Sequence, residues 1–307
     1  MKKLVILKHG GGELANQLWS YASVYAYGLE MKIPVYNPSF FEYHYFFKFL
    51  SKESLLTKLF VLFFHTPRRR SHLMNRIGRL KYRIVTKIQI LAHLSCVISS
   101  ENIENKVRYL PPSGPIPARF GQCDSLYFTG WLFRNPKGMA KFRKELFVTF
   151  FPSGQVERRV SEIISPLRQK YKKIIGVHIR QADYAGFKDG RFLISQERVR
   201  EIVSEYAKEN ILDASSTAFL ITSDGPVDES FYKKLNIYIS KENSVVDLFL
   251  LSRTDVILGS DSSFGTFASW YSNIPHIIFK NEPMDWQYYA DKKSYFENKY
   301  CVLTRYY

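Results

Sequence analysis

The stretch that decides the fold is Gly176-Val177-His178-Ile179-Arg180-Gln181-Ala182-Asp183-Tyr184. It begins inside an apolar run and ends in a segment that carries charged residues. The run Lys173–Ile179 predicts a buried β-strand. Side chains alternate along a strand, so His178 and Arg180 lie on one face and could address one ligand. The forked guanidinium of Arg180 fits a pair of phosphate oxygens, and Asp183 could orient it or cap the turn. A structural Arg–Asp ion pair beside a hydrogen-bonded core histidine explains the same residues about equally well.

Strands and helices alternate from this stretch towards the C-terminus. The predicted strands are Lys173–Ile179, Ala218–Thr222, Asn236–Ile239, Val256–Gly259 and His276–Phe279. The predicted helices are Ser195–Glu209, Pro226–Lys234, Ser244–Ser252 and Ser263–Tyr271. Repeated strand–helix units indicate an α/β fold with a parallel sheet, whose ligands bind beyond the carboxyl ends of the strands.

Polar clusters follow three of these strands, at the ends where ligands are expected. They are His178–Tyr184, Ser223-Asp224-Gly225 and Ser260–Ser263. Hydroxyl and backbone N–H groups at a helix start form an anion site, although Ser or Asp there also serves as an ordinary N-cap. Asp224 could accept hydrogen bonds from a base or ribose, or merely stabilise a turn.

The N-terminal half opens with a strand–turn–helix unit of its own. Leu4–Lys8 predicts a short strand and Leu14–Met31 predicts a helix, with a glycine-rich turn between them. The backbone at Gly12 can approach a ligand closely, and Asn16 places an amide on the first helical turn. Glu13 is either a general base or an ordinary first-turn acid.

A chain of 307 residues suits two medium α/β domains. Ser125–Leu132 predicts a strand and Gly138–Phe147 a helix, and Phe150–Gly154 is a plausible linker. The expected domains are therefore residues 1–154 and 155–307, and an aromatic and basic insertion occupies about 40–121 of the first.

Charge narrows the classes of partner. The net charge is +16, which predicts attraction to nucleic acid, anionic lipid or phosphorylated small molecules. Between His65 and His93 there are eight Lys or Arg residues and no Asp or Glu. No nucleic-acid motif is present, and the neighbouring aromatic tract favours an interfacial helix on an anionic membrane. A solvated basic helix is an equally good explanation.

The cysteines and the N-terminus indicate a compartment. Cys96, Cys123 and Cys301 are odd in number and far apart, so we expect neither a zinc site nor a disulfide framework, and a reducing compartment. The apolar run Leu4–Leu7 is shorter than a secretory signal, and no stretch reaches the ~18 apolar residues of a membrane span. The expected location is cytoplasmic, either free or peripheral at the inner membrane surface.

Five segments occur in an order that resembles a known family. The first is Gly12–Ala22, similar to G-x-G-N-Q-L/M-F-Q-Y-A, and the second is Gly130–Phe133 with Phe142–Phe147, similar to G-Y/W-F/W-Q…I-R-x-x-F. The third is His178–Tyr184, similar to H-x-R-R-x-D-Y, and the fourth is Thr222–Asp224, similar to F-S-D. The fifth is Asp247–Ser252 through Ser262–Phe264, similar to D-L-x-L-M-S…S-N-S-S-F-S-W-W. Together they resemble the α-1,2-fucosyltransferase family of bacteria and its relatives among GDP-fucose enzymes.

This resemblance implies the GT-B arrangement of two facing Rossmann-like domains, an acceptor-side N-terminal domain and a nucleotide-sugar-binding C-terminal one. It implies no metal and no other cofactor, because an arginine and helix-end donors stabilise the leaving diphosphate. The implied roles are Arg180 on the pyrophosphate, the N–H groups of Ser262, Ser263 and Phe264 on phosphate oxygens, His178 and Asp224 near ribose and guanine, and Asn16 on the phosphate or acceptor.

The resemblance implies inverting transfer of fucose from GDP-β-L-fucose to an oligosaccharide or lipid-linked glycan, with an α-1,2 linkage expected, as in carbohydrate and O-antigen biosynthesis. Three departures mark a divergent member: Gln181 replaces the second arginine, Ala15 a glycine, and Gly265-Thr266-Phe267 the S-W-W. Glu13 matches a glutamate of related protein O-fucosyltransferases and is the candidate base. The alternatives are another nucleotide sugar on the same fold, or a basic protein that binds anionic membranes or nucleic acid.

Overall fold

The computed structural model describes residues 2–8, 13–48, 72–99, 108–110, 122–130, 132–181, 184–233, 235–291 and 298–300. The chain forms two compact units, Met1–Gly154 and Gln155–Tyr307, called unit 1 and unit 2 below. Gly12 and Asp183, both predicted to contact the donor, lie outside the described residues, as does most of the proline-rich stretch 107–121.

Unit 1 is built on a parallel sheet. Its strands are β1 (Lys3–Lys8), β2 (Val35–Tyr36), β3 (Val97–Ser99), β4 (Arg108–Tyr109), β5 (Ser125–Thr129) and β6 (Phe133–Arg134). Its helices are α1 (Leu14–Met31), α2 (His72–Ala92), α3 (Pro136–Lys141) and α4 (Arg143–Thr149). The main sheet has the order β2-β1-β5-β3 with every pair parallel, and β4 pairs with β6.

Helix α1 covers this sheet because most of its length is apolar. Leu14, Leu18 and Tyr21 are buried, and Tyr21 meets the rings of Phe40 and Phe150 edge-on at 5.6 and 5.2 Å. Aromatic rings favour such edge-to-face contacts, which form much of the core of this unit.

Unit 2 repeats the plan with a larger sheet. Its strands are β7 (Lys173–Ile179), β8 (Thr217–Ser223), β9 (Ile237–Ile239), β10 (Val256–Gly259) and β11 (His276–Ile278). Its helices are α5 (Gly154–Lys170), α6 (Gln196–Glu209), α7 (Ser244–Leu251), α8 (Ser263–Ser272) and α9 (Trp286–Ala290). The sheet order is β11-β10-β7-β8-β9, and every pair is parallel. The expected α/β class is therefore confirmed.

Several predicted boundaries need correction. The helix predicted at Pro226–Lys234 is only a 3₁₀ turn over Glu229–Tyr232. The single helix predicted at Gly138–Phe147 is two short ones, since Phe142 interrupts it. The sequence interpretation missed α5, whose buried face is Val156, Val160, Ile163 and Ile164.

The expectation of no disulfide is wrong. Cys96 and Cys123 form a disulfide across 27 residues of sequence. Pairing of β3 with β5 brings them together, because Cys96 precedes β3 and Cys123 precedes β5. Disulfides persist mainly in oxidising surroundings, so this pair counts against the reducing compartment inferred from the cysteine pattern. No helix within the described ranges is long and apolar enough to cross a membrane.

Candidate functional site

The candidate site lies at the carboxyl edge of the sheet in unit 2, where the strand order reverses. From β7 the chain proceeds outward through β8 to β9, then returns to the other side of β7 as β10 and β11. In an open parallel sheet, the crevice beyond such a reversal is where ligands bind. The end of β7 carries His178, and Arg180 follows it directly.

His178 connects the three central strands. Its partners in register are Thr222 of β8 and Gly259 of β10. The imidazole Nδ1 lies 3.3 Å from the hydroxyl of Thr222, and Nε2 lies 3.1 Å from the hydroxyl of Ser262. The Phe264 ring stacks on it at 4.9 Å between centroids. His178 therefore fixes the start of α8 against the end of β7.

A second histidine packs behind the first. Burial, and then the charge of Arg180, lower the pKa of His178 to about 3. Burial, and then His178, lower the pKa of His276 on β11 to about 3 as well. A Cβ atom at Gly259 would stand 3.2 Å from both the His178 Cβ and the His276 Nε2, so glycine gives the two rings their room. Both rings are neutral at neutral pH, and neither supplies positive charge to a ligand.

The start of α8 has the features of an anion site. Ser262 is its N-cap, and its hydroxyl accepts a hydrogen bond from the Gly265 N–H at 3.4 Å. The first N–H groups of a helix have no acceptor within the helix, and the helix dipole favours a negative charge beside them. The Ser262 hydroxyl is engaged by the cap and by His178. That the backbone N–H groups of Ser262, Ser263 and Phe264 contact phosphate oxygens stays a prediction.

Arg180 supplies the positive charge of this edge. Its Nε lies 3.0 Å from the Asp224 carboxylate, with side chains 22% and 25% exposed. Its backbone N–H donates to the Ser260 hydroxyl at 3.1 Å, and its guanidinium lies 5.6 Å from the centre of the Tyr184 ring. The placement of Asp224 near ribose and guanine, implied by the family resemblance, stays a prediction; the structure shows that Asp224 orients Arg180 through an ion pair.

Gln181 stands where the family motif has a second arginine. Its side-chain amide donates to the Ser223 hydroxyl and to the Pro226 carbonyl, both at 2.9 Å. Its backbone N–H donates to Asp224 at 2.6 Å. A Cβ at Gly225 would crowd this side chain at 3.1 Å. The amide therefore holds the turn that carries Asp224, a role that its position in the motif did not indicate.

Asp247, in the first turn of α7, is a buried carboxyl group that the sequence analysis passed over. It accepts a hydrogen bond from the Ser240 hydroxyl at 2.5 Å. Burial raises its pKa to about 7, opposed by this hydrogen bond. The signal available in the sequence is its place at the start of the Asp247–Ser252 motif.

The remaining predicted residues lie in unit 1. Glu13 is the N-cap of α1, and the Tyr43 hydroxyl donates to its carboxylate at 3.2 Å. Asn16 is half-buried on the first turn of α1. Among the residues for which the structure gives positions, no three His, Cys, Asp or Glu side chains are grouped to hold a metal ion.

No protein-family model and no curated protein matches the chain. Solved structures do match it. A mutant of Arabidopsis thaliana FUT1 in complex with GDP is 14% identical, with a TM-score of 0.54 over 92% of this chain and 72% of that one. POFUT1 in complex with GDP is 10% identical, with a TM-score of 0.52 over 91% and 98%. NodZ α-1,6-fucosyltransferase soaked with GDP-fucose is 14% identical, with a TM-score of 0.51 over 92% and 96%.

The chain shares the fold of these three proteins. This likeness confirms the expected Rossmann-like, GT-B fold class, because it extends over nine-tenths of the chain in each comparison. The roles of the residues at the β7 edge stay predictions.

Proposed function

We propose that the chain transfers fucose from GDP-β-L-fucose to a hydroxyl group of a glycan, with inversion and without a metal ion. One observation carries the proposal: Arg180, oriented by Asp224, lies at the same sheet edge as the start of α8. A cation beside a helix N-terminus is suited to a diphosphate. Proteins of the same fold hold GDP or GDP-fucose.

The proposed reaction needs charge stabilisation on the donor side. The bond between the fucose anomeric carbon and the phosphate oxygen breaks, and GDP leaves with the electron pair. Arg180 and the first-turn N–H groups of α8 would neutralise the growing negative charge, which is the task that a divalent cation performs elsewhere. Ser262 and His178 would keep those N–H groups in place.

The reaction also needs a base on the acceptor side. The acceptor hydroxyl attacks the anomeric carbon from the opposite face, so a β-linked donor gives an α-linked product, and its proton passes to the base. We assign this role to Glu13, whose carboxylate is held by the Tyr43 hydroxyl. Asn16, three residues further on, is the proposed contact to phosphate or acceptor.

The linkage and the acceptor are further parts of the proposal. The α-1,2 linkage rests on the motif resemblance, whereas NodZ is an α-1,6-fucosyltransferase. The proposed acceptor is an oligosaccharide or lipid-linked glycan. Permethylation analysis of the product would identify the substituted hydroxyl group; substitution at any position other than O2 contradicts the α-1,2 assignment.

Titration calorimetry with GDP tests the donor site. We expect the wild type to bind GDP and Arg180→Ala to bind about 10- to 100-fold more weakly, as loss of a charged hydrogen-bond donor predicts. Arg159→Ala is the matched control, because Arg159 is an exposed arginine engaged by Glu242 and Glu162. Absence of GDP binding, or an unchanged affinity in Arg180→Ala, would overturn the donor-site assignment.

A panel of donors tests the identity of the sugar nucleotide. Release of nucleoside diphosphate from GDP-, UDP- and dTDP-sugars is compared, with mass detection of the product. Turnover of GDP-fucose above the rest supports the proposal. Preference for another donor would contradict the assignment of GDP-fucose as the substrate but not the fold or the proposed diphosphate site.

A further inference from the structure

The outward side of α2 in unit 1 plays no part in the proposed reaction, yet it displays large apolar side chains. Five of them, in α2 and in the turn that follows it, are between 53% and 63% exposed: Leu80, Ile84, Ile88, Leu91 and Leu94. Clustered exposure of this kind on a folded protein marks an interaction surface.

These residues lie on one side of the helix. Steps of four, four and three residues separate Leu80, Ile84, Ile88 and Leu91, and residues three or four apart are neighbours on a helix surface. We call Leu80, Ile84, Ile88, Leu91 and Leu94 the outer stripe. Tyr82 and Thr86, also four apart, are buried on the opposite side of α2.

The inner side of α2 is fastened to unit 1. The Tyr82 hydroxyl donates to the Leu7 carbonyl at the end of β1, and the Tyr82 ring lies 5.0 Å from that of Phe41. Beyond the helix, His93 stacks on Tyr127 of β5 at 5.0 Å. The Cys96 disulfide then ties the following turn to the sheet. These contacts attach α2 to unit 1 through its inner side, so the outer stripe faces away from unit 1.

Charge defines the kind of partner that fits. Arg83 and Lys87 are exposed on α2 and lie four residues apart. No acidic residue occurs anywhere between 65 and 93, and the whole chain carries +16. An apolar stripe with lysine and arginine and no acid is the composition of helices that lie in the interface of anionic membranes.

We propose that the outer stripe of α2 lies in the surface of an anionic lipid bilayer, with Arg83 and Lys87 at the level of the phosphate headgroups. A nucleic acid would engage the basic residues and leave the aliphatic stripe in water, so the bilayer accounts for both features. This surface goes beyond the proposed function and does not depend on it, because α2 contributes none of the residues assigned to the reaction.

Vesicle flotation of the full chain tests the proposal. The wild type is expected to float with mixed phosphatidylcholine–phosphatidylglycerol vesicles and to stay at the bottom with phosphatidylcholine alone. Ile84→Ser with Ile88→Ser is expected to weaken binding at least tenfold, roughly the effect of withdrawing two aliphatic side chains from the interface. Arg83→Gln with Lys87→Gln is expected to weaken it about 25-fold, from about fivefold for each charge near an anionic surface.

Matched variants control for general loss of hydrophobicity or charge. Val148→Ser with Ile211→Ser removes two exposed apolar side chains elsewhere, and Arg158→Gln with Lys208→Gln removes two exposed charges in unit 2. Both are expected to float within about twofold of the wild type. Circular dichroism confirms folding, and GDP titration of each variant separates failure of this surface from failure of the donor site.

Three results would overturn the proposal: a wild type that does not float, helix variants that float like the wild type, or controls that lose binding equally. Analytical ultracentrifugation adds a fourth. If the wild type is dimeric without lipid and Ile84→Ser with Ile88→Ser is monomeric, the outer stripe is an interface between copies of the chain.

Discussion

Replacing His276 with leucine would remove about half of the acid sensitivity that two buried histidines, His178 and His276, give to unit 2. His276 is fully buried on β11, and neither ring nitrogen has a hydrogen-bond partner among the residues described. Its pKa is lowered to about 3 by burial and then by His178. The unfolded chain therefore takes up the proton first, so stability is full above the unfolded pKa of about 6.5 and falls as the pH drops from there towards 3.

The size of the effect follows from the two pKa values. Between about pH 7.5 and pH 5, one such histidine costs roughly 2 kcal/mol of unfolding free energy, and His178, with a pKa also lowered to about 3, costs as much again. The two histidines together should thus cost about 4 kcal/mol over this range, and His276→Leu should remove about 2 kcal/mol of that cost. Asp247, whose pKa is raised to about 7, contributes a change of opposite sign in both proteins, so the difference between them stays at about 2 kcal/mol. At neutral pH the variant should be at least as stable, because an unpaired buried imidazole costs ~1–3 kcal/mol.

Urea unfolding followed by tryptophan fluorescence at the two pH values measures this difference. His93→Leu is the control: the residue is exposed, and the loss of its ring contact with Tyr127 is read from the stability at neutral pH, apart from the difference between the two pH values. If the free energy of unfolding of His276→Leu depends on pH as strongly as that of the wild type, His276 is not responsible for the proton uptake assigned to it. A loss of more than about 3 kcal/mol at neutral pH would show that the imidazole makes a buried hydrogen bond after all.

Two further predictions concern positions where the structure adds to the sequence. Gln181→Ala should release the turn that carries Asp224 and raise the KM for the donor about tenfold at nearly unchanged kcat, with a loss of ~1–2 kcal/mol in the free energy of unfolding. Gln169→Ala, at an exposed position, is the control, and equal donor kinetics in the two variants would contradict the positioning role of Gln181. Replacing Cys96 and Cys123 by serine should lower the free energy of unfolding by ~3–4 kcal/mol, the loop-closure value for their 27-residue separation. The change in melting temperature that reductant causes in this double variant is the baseline. If the two substitutions lower the melting temperature by no more than this baseline, the disulfide does not form.

The sheet of unit 2 could be predicted because its strands are short, apolar and separated by amphipathic helices. Lys173–Ile179 and Val256–Gly259 occur where the apolar runs predict them. Helix α5 could not be recognised as easily, since Pro166 lies inside it and exposed polar and charged residues interrupt its apolar ones. Its buried face at Val156, Val160 and Ile163 was the available signal.

The candidate site was predictable only in outline. The strand ends placed His178, Arg180 and Ser262 together, because carboxyl ends of parallel strands share one edge. The partners of Gln181 could not be predicted, since its amide reaches residues about 40 positions away, such as Ser223 at a separation of 42. The disulfide was hidden for the same reason: only the pairing of two strands brings its cysteines together.

The contact between His178 and Ser262 spans 84 residues of sequence, and this sets a lower limit on when the site can exist during synthesis. At about 5–20 residues per second, the ribosome needs roughly 4–17 s after His178 emerges before Ser262 follows it. Until β8 emerges β7 has neither of its two final neighbours, and until β10 emerges it has only β8, so at least one edge of β7 is open to other chains during most of that interval. Translation speed, and the chaperones available while the chain is growing, therefore belong among the conditions that decide the yield of active protein.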